Sequence, residues 1–120
     1  MKVAFTTSGS DLSAPLDRRF GRTPKFLIYN MDENTFEVVD NQQNLNAAQG
    51  AGIQAAQKVA HAGAECVVTG HCGPKAFRVL SMARIKIFNT DAPTVAEALE
   101  MFRTGALKLA ESADVKEHWA

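Results

Sequence analysis

The stretch Glu65-Cys66-Val67-Val68-Thr69-Gly70-His71-Cys72-Gly73-Pro74-Lys75-Ala76-Phe77 carries the strand-to-helix turn on which the architecture rests. Glu65 to Thr69 is a short run rich in β-branched residues and closed by a glycine, the pattern of a strand buried on both faces. Pro74 suits the first position of a helix, where its missing N–H is not needed, and Phe77, Leu80 and Ala83 then fall on one helical face. A buried strand turning directly into a helix is the repeating unit of an open α/β sheet. In such sheets ligands sit beyond the carboxyl ends of the strands, where the following helix presents free N–H groups and the positive end of its dipole. His71 and Cys72 fall in that turn. The same surroundings lower a thiol pKa, so Cys72 is expected to react faster than Cys66, which the pattern puts inside the strand.

Upstream, Lys2 to Thr7 reads as a first strand, followed by a polar loop with glycine and proline from Ser8 to about Pro24. A structureless loop of that length is uncommon in a small domain unless it serves a site. Lys25 to Met31 and Thr35 to Val39 flank Asp32-Glu33-Asn34, which predicts an antiparallel hairpin. From Gly50 the period becomes helical, with Ile53, Ala56, Val59 and Ala60 in phase and Gly63 as the terminating left-handed residue. Downstream, Ile85 to Asn89 is the fifth strand. Thr94 and Glu97 then form a capping box for a helix whose inner face is Val95, Leu99 and Phe102. The pattern weakens after Gly105, so residues 1–105 read as a single domain and 106–120 as a C-terminal tail. The order βββαβαβα, with right-handed crossovers, predicts a three-layer α/β/α fold on a five-stranded mixed sheet of order 3-2-1-4-5, with strand 2 antiparallel. That topology gathers the first loop, the Gln42 to Gly52 loop, His71-Cys72 and the Asn89 to Pro93 loop around one cleft.

The 120 residues, 46% apolar and 22% charged, suit one globular domain with a real core. Thirteen basic and thirteen acidic side chains cancel, which removes any global field toward nucleic acid or an anionic membrane. Attraction for anions must therefore be local, and basic residues do concentrate at Arg18, Arg19, Arg22 and Lys25, with only Asp17 nearby. No signal-peptide or membrane-spanning apolar run is present, so a cytoplasmic location is expected. Along an extended strand Cys66 and Cys72 would lie about 20 Å apart, beyond disulfide reach, as expected of independent thiols in a reducing compartment.

Arg19-Phe20-Gly21-Arg22 sets two guanidinium forks around an apolar ring and a bare stretch of backbone. That suits a soft, weakly hydrated anion better than plain phosphate, and Gly50, Gly52, Gly70 and Gly73 permit close backbone approach at the same edge. Imidazole and thiolate together suit copper, iron or zinc. A closed zinc site wants four ligands, which two cysteines without a C-x-x-C pair do not supply. The plainer reading makes Cys72 a small half-buried residue and His71 a local cap. Cys72 and Arg78 also satisfy C-x5-R, the spacing of a cysteine-dependent phosphatase, although Pro74 removes one phosphate-binding N–H and helical phase turns Arg78 away. A ribonuclease H-like nucleic-acid enzyme is the third alternative, but the first strand offers Thr6 and Thr7 where a metal-binding carboxylate is needed.

Ser8-Gly9-Ser10-Asp11, Arg19-Phe20-Gly21-Arg22, Gly50-Ala51-Gly52-Ile53 and Gly70-His71-Cys72-Gly73-Pro74-Lys75-Ala76-Phe77, in register over about residues 1 to 105, resemble the nitrogenase iron-molybdenum cofactor biosynthesis family. The resemblance implies a ribonuclease H-like fold and a carrier or scaffold, not an enzyme. Its cargo would be an anionic molybdenum-containing metal–sulfur cluster, of the molybdenum–copper sulfide or iron–molybdenum type. The implied cluster-binding residues are Arg19, Phe20, Gly21, Arg22, Gly50, Gly52, Gly70, His71, Cys72, Gly73 and Pro74. Whether His71 and Cys72 are direct metal ligands or close neighbours is left open. The implied partners are the cluster and a protein that donates or accepts it, with no nucleic acid and no membrane. The cysteine-rich radical domain of larger relatives is absent from this sequence, so cofactor synthesis by this chain alone is not expected.

Overall fold

The computed structural model describes residues 1–41 and 50–113, and the Gln42 to Gln49 part of the second expected loop lies outside them. The strands are β1 (Lys2–Thr7), β2 (Lys25–Asn30), β3 (Thr35–Asp40), β4 (Cys66–Thr69), β5 (Lys86–Asn89) and β6 (Lys108–Leu109), and the helices are α1 (Ala51–His61), α2 (Pro74–Met82) and α3 (Val95–Arg103). A single 3-10 turn, Phe20–Arg22, interrupts the first loop. Among the described residues the strands form one sheet of order β3-β2-β1-β4-β5-β6. The pairings β1·β4 and β4·β5 are parallel, whereas β1·β2, β2·β3 and β5·β6 are antiparallel.

The expected five-stranded sheet is therefore corrected to six strands. The added strand pairs only Phe88 with Leu109 and Asn89 with Lys108, within the segment read as a tail. Two exposed residues cannot display a period, so no sequence pattern marks them.

β4 is buried at every position and β1 at all but its first, because helices cover both faces of the sheet centre. α1 and α2 pack on one face, where Ala55, Ala56, Val59, Ala76 and Leu80 meet Ala4, Phe26, Ile28, Val67 and Ile87. α3 packs on the other through Val95, Ala98 and Leu99, against Val3, Phe5, Leu27 and Val68. Two in-phase alanines turn out differently from expectation: Ala60 and Ala83 are exposed, and Ala55 and Ala76 hold the inner positions. Alanine is too small and too weakly apolar to mark a face by itself.

Among the described residues, α1, α2 and α3 end in the same hydrogen-bonded turn. Gly63, Arg84 and Gly105 follow the caps with φ of 84°, 62° and 74°. Their N–H groups donate to Ala60, Ser81 and Phe102, and the next residues donate back to Val59, Leu80 and Met101. Only Arg84 occupies this left-handed position with a Cβ. Arg84→Gly is therefore expected to stabilise the fold by about 0.5–1 kcal/mol, since it removes the left-handed strain at an exposed site. Thermal unfolding followed by circular dichroism should show a midpoint a few degrees higher; an unchanged or lower midpoint would refute the account.

Candidate functional site

The carboxyl ends of β1 and β4 carry threonines where the first loop must be held. Thr6, Thr7, Thr23 and Thr69 are all fully buried. Thr6 Oγ1 donates to the Asp17 carbonyl at 2.7 Å and lies 3.0 Å from Thr69 Oγ1. Thr7 Oγ1 donates to the Pro15 carbonyl at 2.8 Å, and Thr23 Oγ1 reaches the Thr7 carbonyl at 3.0 Å. The Asp17 N–H returns a bond to the Thr6 carbonyl at 2.8 Å. Buried hydroxyls that pair with loop carbonyls satisfy both groups and fix the path of the chain, since leaving either unpaired would cost about 1–3 kcal/mol. The first loop is thus stitched to the sheet edge.

The stitched loop crosses the end of β4 at Gly70. A Cβ there would lie 2.7 Å from the Arg18 carbonyl oxygen and 2.9 Å from the Arg18 Cα, so only glycine admits the crossing. Immediately beyond, Arg19 and His71 form a parallel bridge, and the Phe20 N–H donates to the His71 carbonyl at 3.0 Å. Arg18 and Arg19 are exposed and Arg22 is half-buried, while Asp17 turns its Oδ1 to the Arg19 N–H at 3.0 Å. The two motifs that the sequence singled out, Arg19 to Arg22 and Gly70 to Pro74, therefore adjoin.

A cleft of about 270 Å³ opens beside the crossing, lined by Arg18, Gly70, His71, Asn89, Thr90 and Asp91. Asn89 Nδ2 donates to the Gly70 carbonyl at 3.1 Å and so ties the end of β5 to the same turn. The helix starts at this edge differ. α3 is closed, because Val95 and Ala96 donate to the loop carbonyls of Ala14 and Leu12 and Glu97 N–H donates to Thr94 Oγ1. Among the described residues α1 and α2, which start from Gly50 and Gly73, have no side-chain cap and no acidic residue in their first turns. Uncapped N–H groups and a positive dipole end attract anions, so α1 and α2 fit a negatively charged group and α3 does not.

Two expected residues point inward. Phe20, read as an apolar ring beside the arginines, is 1% exposed and packs on Phe26 with ring centroids 5.4 Å apart. It anchors the arginine turn to the core. Cys72 is 2% exposed and sits in that same core cluster, its Sγ 3.7 Å from the Gly73 carbonyl oxygen. Cys66 is buried in β4 as expected, and burial raises its thiol pKa; Cys72, expected to be half-buried, is buried as well. His71 is partly exposed and faces the cleft. Gly50 takes φ of 80° with open space around it, and Gly52 is buried in α1. Gly21 and Gly73 are buried and Pro74 is half-buried at the start of α2. Arg78 is exposed and lines a different groove with Ser81 and Met82, so thiol and guanidinium do not converge as a phosphatase requires. Among the described residues no three His, Cys, Asp or Glu side chains gather as a metal site. None of their helices is long and apolar enough to cross a membrane.

The threonine stitches and Asn89 were not singled out in the sequence as holding the site. Their one signal is position: Thr7, Thr69 and Asn89 are the last residues of β1, β4 and β5, Thr6 precedes Thr7, and Thr23 lies two residues before β2.

At the carboxyl edge of this α/β sheet the arginine turn thus adjoins the His71 turn that leads into α2. The profile of the dinitrogenase iron-molybdenum cofactor family matches residues 1–105, and the chain belongs to that family. It is similar to the apo form of the orange protein from Desulfovibrio gigas, at 36% identity and a TM-score of 0.92 over 95% of this chain and 96% of that one. A NifB-like protein of Thermotoga is similar at 31% identity and a TM-score of 0.84, over 95% and 97% of the two chains. The protein MJ0580 of Methanocaldococcus jannaschii is 26% identical over 90% of each chain.

Proposed function

We propose that this protein binds and carries an anionic molybdenum-containing metal–sulfur cluster, of the molybdenum–copper sulfide or iron–molybdenum type, as a carrier or scaffold and not as an enzyme. The observation that carries the reading is the crossing of the arginine loop over Gly70, which sets Arg18 and Arg19 beside His71 at the carboxyl edge. Arg19 and Arg22 supply charge, and the first turns of α1 and α2, from Gly50 and Gly52 and from Gly73 and Pro74, supply N–H donors. Phe20, Gly21 and Gly70 shape the turn. A sulfide-coated polyanion is weakly hydrated, so charge and backbone donors hold it without a covalent bond, and the burial of Cys72 favours that mode. His71 is the side chain best exposed to act as a direct ligand. A cytoplasmic protein that donates or accepts the cluster completes the scheme.

Incubating the protein with tetrathiomolybdate and a copper salt without oxygen is expected to generate charge-transfer bands that stay with the protein through desalting. Colour passing wholly into the small-molecule fraction, with no metal left on the protein, would end the proposal.

A further inference from the structure

At the amino edge of the sheet, away from the cleft, sulfur gathers on one face. β2, β1 and β4 are neighbours, and the registers of Lys2 with Asn30 and of Val3 with Cys66 put the start of β1 between the end of β2 and the start of β4. The Met31 N–H donates to the Met1 carbonyl at 2.8 Å, which carries the β1·β2 register one step past the strands and sets Met1 opposite Met31. Side chains alternate along a strand, and directly opposed residues share a face. Met1 and Met31 therefore fall on the face of Val3, Tyr29 and Cys66, the one covered by α3. Cys66 belongs to the core cluster on that face, and Met31 packs against the cluster. Cys66 Sγ lies 3.8 Å from Met1 Sδ. Cys66 is 6% exposed and Met1 47%, so solvent reaches the thioether more readily than the thiol.

We propose that Cys66, Met1 and Met31 form a binding site for a soft monovalent metal ion, copper(I). The spacing carries the inference. Bonds from sulfur to a first-row d10 ion are about 2.3 Å long, and two of them meeting at tetrahedral to trigonal angles hold their sulfurs about 3.8–4.0 Å apart. The Cys66 and Met1 sulfurs already stand at that separation. Soft thiolate and thioether donors select copper(I), whereas magnesium, calcium and manganese want oxygen. Among the described residues no three His, Cys, Asp or Glu side chains gather to offer a harder ion a better site. Binding replaces the S–H bond of Cys66 with a sulfur–copper bond and releases the proton to solvent. The two thioethers donate lone pairs and lose nothing, and copper enters and stays as copper(I), so no electron is exchanged. The site stands apart from the proposed cluster cleft, which lies at the other end of β4.

The test uses the full chain labelled with methyl-13C methionine and titrated without oxygen with copper(I) as its acetonitrile complex. One equivalent is expected to shift the methyl signals of Met1 and Met31 and to leave those of Met82 on α2 and Met101 on α3 in place. Competition against a chromophoric copper(I) chelator should show binding weakened at least tenfold by Cys66→Ala. Met31→Leu, a volume-conserving change at a half-buried position, should weaken it at least threefold with the fold intact. Cys72→Ala should bind copper(I) as the parent does, and zinc(II) should leave all four methyl signals in place. An unmoved Met1 methyl, parent-like affinity in a folded Cys66→Ala or Met31→Leu variant, or equal shifts at Met82 and Met101 would overturn the proposal. Loss of binding in Cys72→Ala would put the copper at the His71 turn and overturn it as well. Copper(I) held at these sulfurs by a chain that retains no molybdenum would end the cluster reading and leave this site standing; molybdenum retained with no shift at Met1 and Met31 would do the reverse.

Discussion

Gly70→Ala is expected to destabilise the protein by about 2–3 kcal/mol and to lower its thermal midpoint by about 10 °C. The new methyl would meet the Arg18 carbonyl oxygen at 2.7 Å and the Arg18 Cα at 2.9 Å, both backbone atoms that cannot rotate away. Relief requires lifting the loop, which pulls against the Thr6 and Thr7 hydroxyl bonds and the Phe20 N–H bond to His71. Amide shifts at Arg19, Phe20 and His71 should therefore exceed those elsewhere. Gly50→Ala is the control: its Cβ meets nothing within 4 Å, so only the left-handed φ of 80° is strained, at about 1 kcal/mol. Gly70→Ala costing no more than Gly50→Ala would show that the crossing is not the constraint described.

The second large effect tests how the proposed cluster would be held. Replacing Arg19 and Arg22 together by alanine is expected to lower the molybdenum retained per protein after desalting at least tenfold, with folding intact, since Arg19 is exposed and Arg22 half-buried. Tenfold corresponds to about 1.4 kcal/mol, a modest demand on two charges facing a polyanion. Cys72→Ala should instead leave retention within about twofold and lower stability by about 1 kcal/mol, because its sulfur fills space in the core cluster that also holds Phe20 and Leu80. Retention in the parent should also fall with rising salt, as a charge-held complex requires. Complete loss of metal in a folded Cys72→Ala variant would reverse the order and make the thiol a ligand.

Much of the architecture is legible in the residues alone. Glu65 to Phe77 declares a buried strand and a helix start because burial on both faces demands a continuous apolar run and Pro74 can stand only where its N–H is not needed. Gly63 and the Thr94 and Glu97 pair mark helix ends through chemistry that acts within four residues. From those local signals and the handedness of crossovers, the order of the first five strands follows, and with it the edge where Arg19 and His71 meet.

Propensity, capping and hydrophobic period are properties of neighbours along the chain, and they suffice to set the main elements and the sheet edge at which the arginine loop meets His71. Folding in three dimensions settles the rest: which way Phe20 and Cys72 point, that Gly70 lies under Arg18, that Thr6 meets Thr69 across 63 positions, and that two residues after α3 add a sixth strand. Those outcomes depend on the space and the hydrogen-bond partners left by distant segments, and no pattern within a short window encodes either.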